Sequence, residues 1–438
     1  PHQQRHMLGR DLGLFQFLLH DGRKGGAASL GGQRRRRIAG FGQQGRRRRG
    51  RAGSGAFAGG GRGWAGGSAG RSGQGRAIAA ARVGFDPSEA PAEVFGISGP
   101  LRVIFTLNAT HALNTAIFGI LQPGQRVVTG GMEHNAVMRP LRELEKRGVI
   151  VDVVPAREDG AFNLEDFADA LRQDARLVVL NHASNVTGTL TNAAEIARLA
   201  HKAGALMLLD AAQTAGVVEI DMPSMGIDLL AFTGHKGLQG PPGTGGLVIG
   251  DWVDPREINP LVFGGTGSRS EYEIQPEDLP DRYESGTPNG AGIAGLGAGL
   301  KWVRERGLKN LRMHDIEIMD HLLEGLANIK GVRLFGPQEP RLTTAVSSFV
   351  LEGNSVSEVG YRLDEEFGIL CRVGLHCAPA AHRSIGSFPH GTVRLAPGPL
   401  TTLAEIEKVV VAVERIARGS PTESSCFTRP PRQSGRKK

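Results

Sequence analysis

The sequence lacks any run of about 18 apolar residues, so no segment of it is predicted to cross a membrane as a helix. It also has few cysteines, since Cys371, Cys377 and Cys426 are the only three among 438 residues. Three are too few for a disulfide framework, and their scarcity predicts a reducing, cytoplasmic setting in which one thiol can be reactive. A chain of this length can form two or three domains.

Acidic residues are almost absent from the first 76 positions, which hold 16 Lys and Arg against 2 Asp. This segment therefore carries a charge of +14, whereas the whole chain carries +8 and the remaining residues −6. Its glycines and its lack of apolar periodicity predict that residues 1–83 are a disordered leader or the product of a shifted reading frame. The arginines leave a transit peptide or a nucleic-acid-binding arm as alternatives, although the sparse stacking aromatics make nucleic-acid binding unexpected.

The glycine-rich stretch GPPGTGGL, residues 240–247, lacks the chemistry of a nucleotide-binding phosphate loop. Its glycines have the spacing of such a loop, but Gly246 stands where the lysine is required and Leu247 where the metal-binding hydroxyl is required. The stretch is therefore predicted to be a glycine turn, and the lysine of interest is Lys236, just before it.

From about residue 84, short β-branched runs alternate with segments whose apolar residues recur at helical spacing. This alternation predicts βαβ units and a mainly parallel sheet, and the pattern after about residue 295 predicts a smaller α+β domain. In such sheets ligands bind beyond the carboxyl ends of the strands. We therefore expect one crevice lined by the polar groups that follow the strands, which are NAT, EHN, NHASN, DAAQ and TGHK.

Several of these polar residues suit a site for pyridoxal phosphate (PLP). Lys236 follows an apolar strand, and partial desolvation would favour the neutral amine that imine formation needs, although an isolated lysine is more commonly a solvated loop residue. Asp210 can pair with a protonated pyridine nitrogen, or it can merely cap the next helix. Gln213 and Asn185 can reach a phenolic oxygen and His134 can stack on a ring, while the alternatives are a surface amide, a turn asparagine and an ordinary polar histidine.

A second group of candidates lies near the C-terminus. Glycine and proline flank Cys377, which predicts a loop that presents its thiol. Its histidine neighbour together with Arg372 and Arg383 would favour the thiolate, whereas the alternative is an inert small hydrophobic residue. Arg394 follows a strand-like residue and can bind a carboxylate through two hydrogen bonds, unless it is a surface arginine.

In this order, the motifs resemble those of the class V aminotransferases, which are PLP enzymes of fold-type I, and within them the second group of cysteine desulfurases. The resemblance covers about residues 84–418. It departs at the N-terminus, where the loops of the family are not intact and Gln74 stands in place of an expected histidine. The matching motifs are NATHALN, MEHNAVMRPL, NHASNVTGTL, LLDAAQTAG, AFTGHKGLQGPPGTGGL, FGGTGSRSE, ESGTPNGAGIAGLGAGL and RVGLHCAPAAH…GTVRLAPG.

The resemblance implies an α/β fold with a mainly parallel large domain, residues 84–295, and a smaller α+β C-terminal domain, residues 296–418, before a tail, residues 419–438. It implies catalytic roles for Lys236, Cys377 and His134, and substrate contacts from Arg394 and Arg372. The residues that it implies for cofactor binding are Ala109, Thr110, His134, Asn185, Asp210, Gln213, Thr233, His235, Lys236 and Thr287.

The activity that the resemblance implies is that of a cysteine desulfurase, which converts L-cysteine to L-alanine and keeps the sulfur as a persulfide, here on Cys377. A sulfur-acceptor protein is an implied partner, no metal is expected, and a homodimer is implied in which Thr287 reaches the cofactor of the other subunit. A class V aminotransferase, a selenocysteine lyase on the same scaffold and a catalytically inactive PLP-fold protein are the alternatives left open.

Overall fold

The computed structural model describes residues 89–419 of the chain. The predicted leader, residues 1–83, lies outside this range, and so does the predicted tail, residues 419–438, apart from its first residue. Within the described range, no helix has both the length and the apolar character needed to cross a bilayer.

A seven-stranded sheet forms the centre of the larger part of the fold. Its strands are β1 (Val103–Thr106), β2 (Arg126–Gly130), β3 (Ile150–Val154), β4 (Leu177–Asn181), β5 (Leu206–Asp210), β6 (Leu229–Thr233) and β7 (Gly245–Ile249). They stand in the order β1-β7-β6-β5-β4-β2-β3, and only β7 runs against the others. The prediction of a mainly parallel sheet is therefore confirmed.

Strand β7 corrects the prediction of a turn over residues 240–247, because the second part of that stretch is extended. It pairs antiparallel with both β1 and β6. A Cβ on Gly246 would lie 2.5 Å from Cε1 of Phe232, and one on Gly245 would lie 2.6 Å from the carbonyl oxygen of the same residue. These two glycines are thus required by close strand packing and not by a turn.

Helices cover both faces of this sheet. They are α1 (Glu89–Val94), α2 (Ala109–Ile120), α3 (Asn135–Glu145), α4 (Leu164–Ala170), α5 (Ala193–Lys202) and α6 (Met222–Met225). The core is accordingly split into two clusters, and the adjacent residues Leu229 and Leu230 of β6 belong to different ones because successive strand side chains point to opposite faces. Burial on both faces explains why β6 is a continuous apolar run.

The smaller part of the fold contains a four-stranded antiparallel sheet, which confirms the predicted α+β arrangement. Its strands are β8 (Val332–Phe335), β9 (Ser347–Leu351), β10 (Arg372–Gly374) and β11 (Thr392–Leu395), which stand in the order β10-β11-β9-β8. Phe349 packs with Leu322 and Val413 in the core of this part. Gly307, with φ +78°, separates two consecutive helices, residues 290–306 and 308–327. The helices after β7 are α7 (Gly290–Arg306), whose Ile293, Leu296 and Leu300 belong to the core of the large sheet, and α8 (Leu308–Ala327), α9 (Val356–Phe367), α10 (Pro379–Ser384) and α11 (Leu403–Ala417).

Candidate active site

A cavity of about 280 Å³ opens where three parallel strands end. Asn181, Asp210 and Thr233 are the last residues of β4, β5 and β6, and all three line it. Parallel strands bring their carboxyl ends to one edge of a sheet, which is why residues far apart in the sequence meet here.

The structure brings together every predicted site residue except one. Thr287 is exposed and does not line this cavity. The predicted residues that do line it are Ala109, Thr110, His134, Asn185, Asp210, Gln213, Thr233, His235, Lys236, Arg372, Cys377 and Arg394.

Lys236 and Asp210 form the charged centre of the cavity. Burial lowers the pKa of Lys236 below its usual 10.5, and the negative charge of Asp210 opposes this shift. The lysine side chain is exposed to the cavity, while the protein atoms around its amine displace enough water to lower its pKa. Burial likewise raises the pKa of Asp210, whose Oδ1 accepts the Ala212 N–H at 2.9 Å. A lowered pKa increases the fraction of the lysine that is present as the neutral, nucleophilic amine.

His134 is the N-cap of α3, where its Nδ1 accepts the N–H of Ala136 at 3.0 Å. This bond places the ring proton on Nε2. Burial lowers the pKa of His134 to about 4, and the positive charges of Lys236 and Arg372 contribute to the shift. The site therefore holds a neutral, flat imidazole whose orientation is fixed by the backbone.

The N-terminus of α2 supplies donors at one side of the cavity. Asn108 caps this helix by accepting the His111 N–H at 3.0 Å. The N–H groups of Ala109 and Thr110 precede the first intrahelical hydrogen bonds, so they have no acceptor within the helix. On the neighbouring loop, Nδ1 of His235 lies 3.0 Å from the hydroxyl of Thr233. Free amides, hydroxyls and an imidazole together suit an anion such as a phosphate.

Arg394 and Arg372 bring two guanidinium groups to another wall of the cavity. Nη1 of Arg394 donates to the carbonyl oxygen of Asn185 at 2.7 Å, while its buried Nε has no hydrogen-bond partner among residues 89–419. Burial and the positive charge of Arg372 lower the pKa of Arg394 to about 10, while Cys377 opposes this shift. Two cations with unused donors make this wall a suitable place for a carboxylate.

Cys377 lies in a short turn between β10 and α10, and its side chain is exposed. The turn has an uncommon backbone, with φ +49° at His376 and φ +59° at Cys377. Arg383, which was predicted to favour the thiolate, stacks 4.4 Å above the Phe388 ring and does not line the cavity. Cys377 shares the cavity wall with Arg372 and Arg394.

Sequence reasoning gave no individual role to Glu133, Asn181 or His376. Glu133 and Asn181 belong to the groups EHN and NHASN that were predicted to line the crevice, and His376 was considered only as the neighbour of Cys377. Asn181 and His376 line the cavity, and the completely buried Glu133 accepts the Asn181 N–H at 3.0 Å. A sequence signal existed for Glu133, since an acidic residue just beyond an apolar strand is rarely placed for solubility.

Comparison with known proteins gives the same assignment at the level of family. The profile of the aminotransferase class-V family matches residues 70–409. A probable cysteine desulfurase of Methanothermobacter thermautotrophicus is 36% identical over 319 residues, covering 72% of this chain and 79% of that protein. A probable cysteine desulfurase of Halalkalibacterium halodurans is 34% identical over 283 residues, covering 63% of this chain and 68% of that protein.

Solved structures agree with the sequence matches. The apo structure of the cysteine desulfurase from Thermococcus onnurineus NA1 matches with a TM-score of 0.73 at 29% identity, covering 78% of this chain and 85% of that chain. The cysteine desulfurase CsdA of Escherichia coli matches with a TM-score of 0.70 at 26% identity and the same coverage. The predicted fold-type I architecture is thereby confirmed, and the chain belongs to the class-V aminotransferase family and, within it, to the cysteine desulfurases.

Proposed function

We propose that this protein is a PLP-dependent cysteine desulfurase that converts L-cysteine to L-alanine and retains the sulfur as a persulfide on Cys377. The observation that carries the proposal is one cavity whose walls hold both a lysine with a lowered pKa, Lys236, and an exposed thiol. A transaminase needs the lysine but makes no use of the thiol. Family membership supports the same activity.

The residues of the cavity fit PLP. The buried carboxylate of Asp210 suits a protonated ring nitrogen, whose positive charge would offset the burial that raises the pKa of this group. The free amides at the start of α2, with Thr233 and His235, suit the phosphate. Oδ1 of Asn185 is buried without a partner among the described residues, so it retains capacity for a polar ligand.

When bound, PLP acts as an electron sink that stabilises negative charge at the substrate Cα. Lys236 lines the cavity, and its lowered pKa favours the neutral Nζ that can take the Cα proton. Arg394 and Arg372 hold the substrate carboxylate and so orient the side chain of the amino acid towards the thiol. The Cys377 thiolate then attacks the substrate sulfur: an S–S bond forms, the C–S bond breaks, and the carbon is left to be protonated to alanine.

The test uses the visible spectrum of the purified protein with added PLP, followed by L-cysteine and a reductant. We expect an absorbance band that changes on adding cysteine, and release of alanine and sulfide in equal amounts. Cys377→Ala should retain the band and its response but lose alanine formation. Cys371→Ala is the matched control, because burial raises the pKa of that thiol to about 11 and it should be unreactive. Turnover by Cys377→Ala, or transamination with a 2-oxo acid, would contradict the proposal.

We further infer a homodimer, a cytoplasmic location, transfer of the persulfide sulfur to an acceptor protein, and a division at residues 84–295 and 296–418. The exposed position of Thr287, outside its own cavity, is compatible with a contact to the cofactor of a second subunit. A mass measurement on the holoenzyme, repeated with Thr287→Ala, tests the dimer. Weaker PLP binding without a change of mass is the expected result.

A further inference from the structure

The turn that carries Cys377 has a backbone that its residues do not favour. His376 and Cys377 are consecutive residues with φ of +49° and +59°, in the left-handed region that suits glycine. A conformation of this kind persists only where the surrounding structure imposes it. The contacts that impose it therefore also decide where the thiol lies.

Three hydrogen bonds hold the backbone of the turn. The carbonyl oxygen of His376 accepts Nδ2 of Asn185 at 2.7 Å, and that of Cys377 accepts the N–H of Asn135 at 2.8 Å. Within the turn, the N–H of Ala378 donates to the carbonyl oxygen of Leu375 at 2.8 Å. These bonds fix where the turn lies, but none of them fixes the side chain of His376.

The His376 side chain enters a buried chain of hydroxyl groups. Its Nε2 lies 3.1 Å from Oγ1 of Thr392, which donates to Oγ of Ser348 at 3.1 Å, which in turn donates to the carbonyl oxygen of Val186 at 2.5 Å. Each hydroxyl has one hydrogen, so Thr392 must accept the Nε2–H of His376. The direction of the chain therefore fixes the tautomer of the histidine. Thr392 and Ser348 are completely buried and His376 is 5% exposed, so no water competes for these bonds.

We propose that His376 is a positioning residue: the chain from His376 through Thr392 and Ser348 anchors the strained turn and thereby directs Cys377 towards the cavity. This proposal rests on the proposed function, because it assigns the step that places the thiol near the substrate sulfur. Ser348 lies on β9 and Thr392 on β11, and both strands belong to the four-stranded sheet. The turn that carries the thiol is therefore attached to this sheet by the side chain of His376 as well as by the backbone.

The test removes the acceptor of the histidine without changing the histidine. Thr392→Val keeps the volume of the side chain but leaves the Nε2–H of His376 unpartnered, and Thr392→Ser is the matched control that keeps the hydroxyl. We expect Thr392→Val to lower the rate of alanine formation about tenfold, the effect of losing one buried hydrogen bond. The apparent KM for cysteine and the spectral response of bound PLP should not change. Thr392→Ser should behave like the wild type.

A second readout requires no catalysis. Hydrogen exchange of the Ala378 and Asn135 amides, measured in the holoenzyme without substrate, should become about tenfold faster in Thr392→Val and not in Thr392→Ser. Ser348→Ala, which removes the acceptor of Thr392, should give the same changes with smaller size and serves if the valine variant does not fold. Unchanged exchange and unchanged turnover in both variants would overturn the proposal. If the wild type forms no alanine, the proposed function fails, while the exchange result still decides whether the chain anchors the turn.

Discussion

Glu133 offers a test of the electrostatics beneath the site. It is 0% exposed, its Oε1 accepts the Asn181 N–H at 3.0 Å, and its Oε2 has no hydrogen-bond partner among the described residues. Burial raises the pKa of Glu133 well above the usual 4.5; the Asn181 N–H opposes this shift, and the nearby Asp210 adds to it. We therefore expect Glu133 to keep its proton in the folded protein up to a higher pH than in the unfolded chain.

The consequence is a stability that falls as the pH rises. Above about pH 4.5 the unfolded chain releases this proton, while the folded protein keeps it until the raised pKa is reached. Over that interval the folded state binds one proton more, and the free energy of unfolding decreases by at most about 1.4 kcal/mol per pH unit. Glu133→Gln has the shape of the protonated acid and releases no proton, so it removes this contribution.

The assay is urea unfolding of the wild type and Glu133→Gln at several values from about pH 5.5 to about pH 8. The free energy of unfolding of Glu133→Gln minus that of the wild type should increase with pH. It should become constant once Glu133 ionises in the folded wild type. Glu143→Gln is the control. The Arg147 hydrogen bond lowers the pKa of this partly exposed acid, so Glu143 is ionised in both the folded and the unfolded protein throughout the range. A difference for Glu133→Gln that is independent of pH would refute the reasoning, since it would mean that the buried group is ionised.

Two further predictions concern the backbone near the lysine and the carboxylate wall. Gly216→Ala should lower the free energy of unfolding by about 2 kcal/mol and weaken PLP binding, because its Cβ would lie 2.5 Å from the carbonyl oxygen of Gly237, next to the active-site lysine. Gly204 also has a left-handed backbone but open space around it. Gly204→Ala should therefore lower the free energy of unfolding by about 1 kcal/mol and leave PLP binding unchanged. Arg394→Ala should raise the KM for cysteine about 10- to 100-fold without altering the PLP spectrum, because Arg394 lines the cavity. Arg383→Ala, which changes an arginine outside the cavity, should leave the KM unchanged. An equal effect of the two substitutions would contradict the assignment of Arg394 to the substrate carboxylate.

The strand-end residues could be predicted from the sequence because their signal is local. An apolar run such as LMLL indicates a buried strand, and the polar residue that follows, Asp210, must then lie at the carboxyl edge of a parallel sheet. Strand β7 could not be predicted in this way. Its glycines indicate a turn when taken alone, and only the ring of Phe232, which lies on another strand, shows that they are packing positions.

The contacts around Cys377 were beyond sequence reasoning for a different reason. Asn185 and His376 are 191 positions apart, and Thr392 is 16 positions beyond the histidine on another strand. Periodicity describes which face of an element a residue occupies, but it carries no information about which faces meet. The thiol itself was predicted, while the contacts that anchor it were not.

The two reactive groups are held by different sheets, and this separation has a chemical consequence. Lys236 follows β6 of the seven-stranded sheet, whereas Cys377 and Arg394 belong to the turn and strand of the four-stranded sheet. Asn185, which follows β4 of the seven-stranded sheet, connects the two sheets. Its side chain donates to the carbonyl oxygen of His376 in the turn, and its own carbonyl oxygen accepts from Arg394. Changes at the turn should therefore alter sulfur transfer and leave cofactor attachment intact, whereas changes behind the lysine should alter both. A substitution that affected attachment of PLP through the turn alone would show that the two sheets do not hold their groups independently.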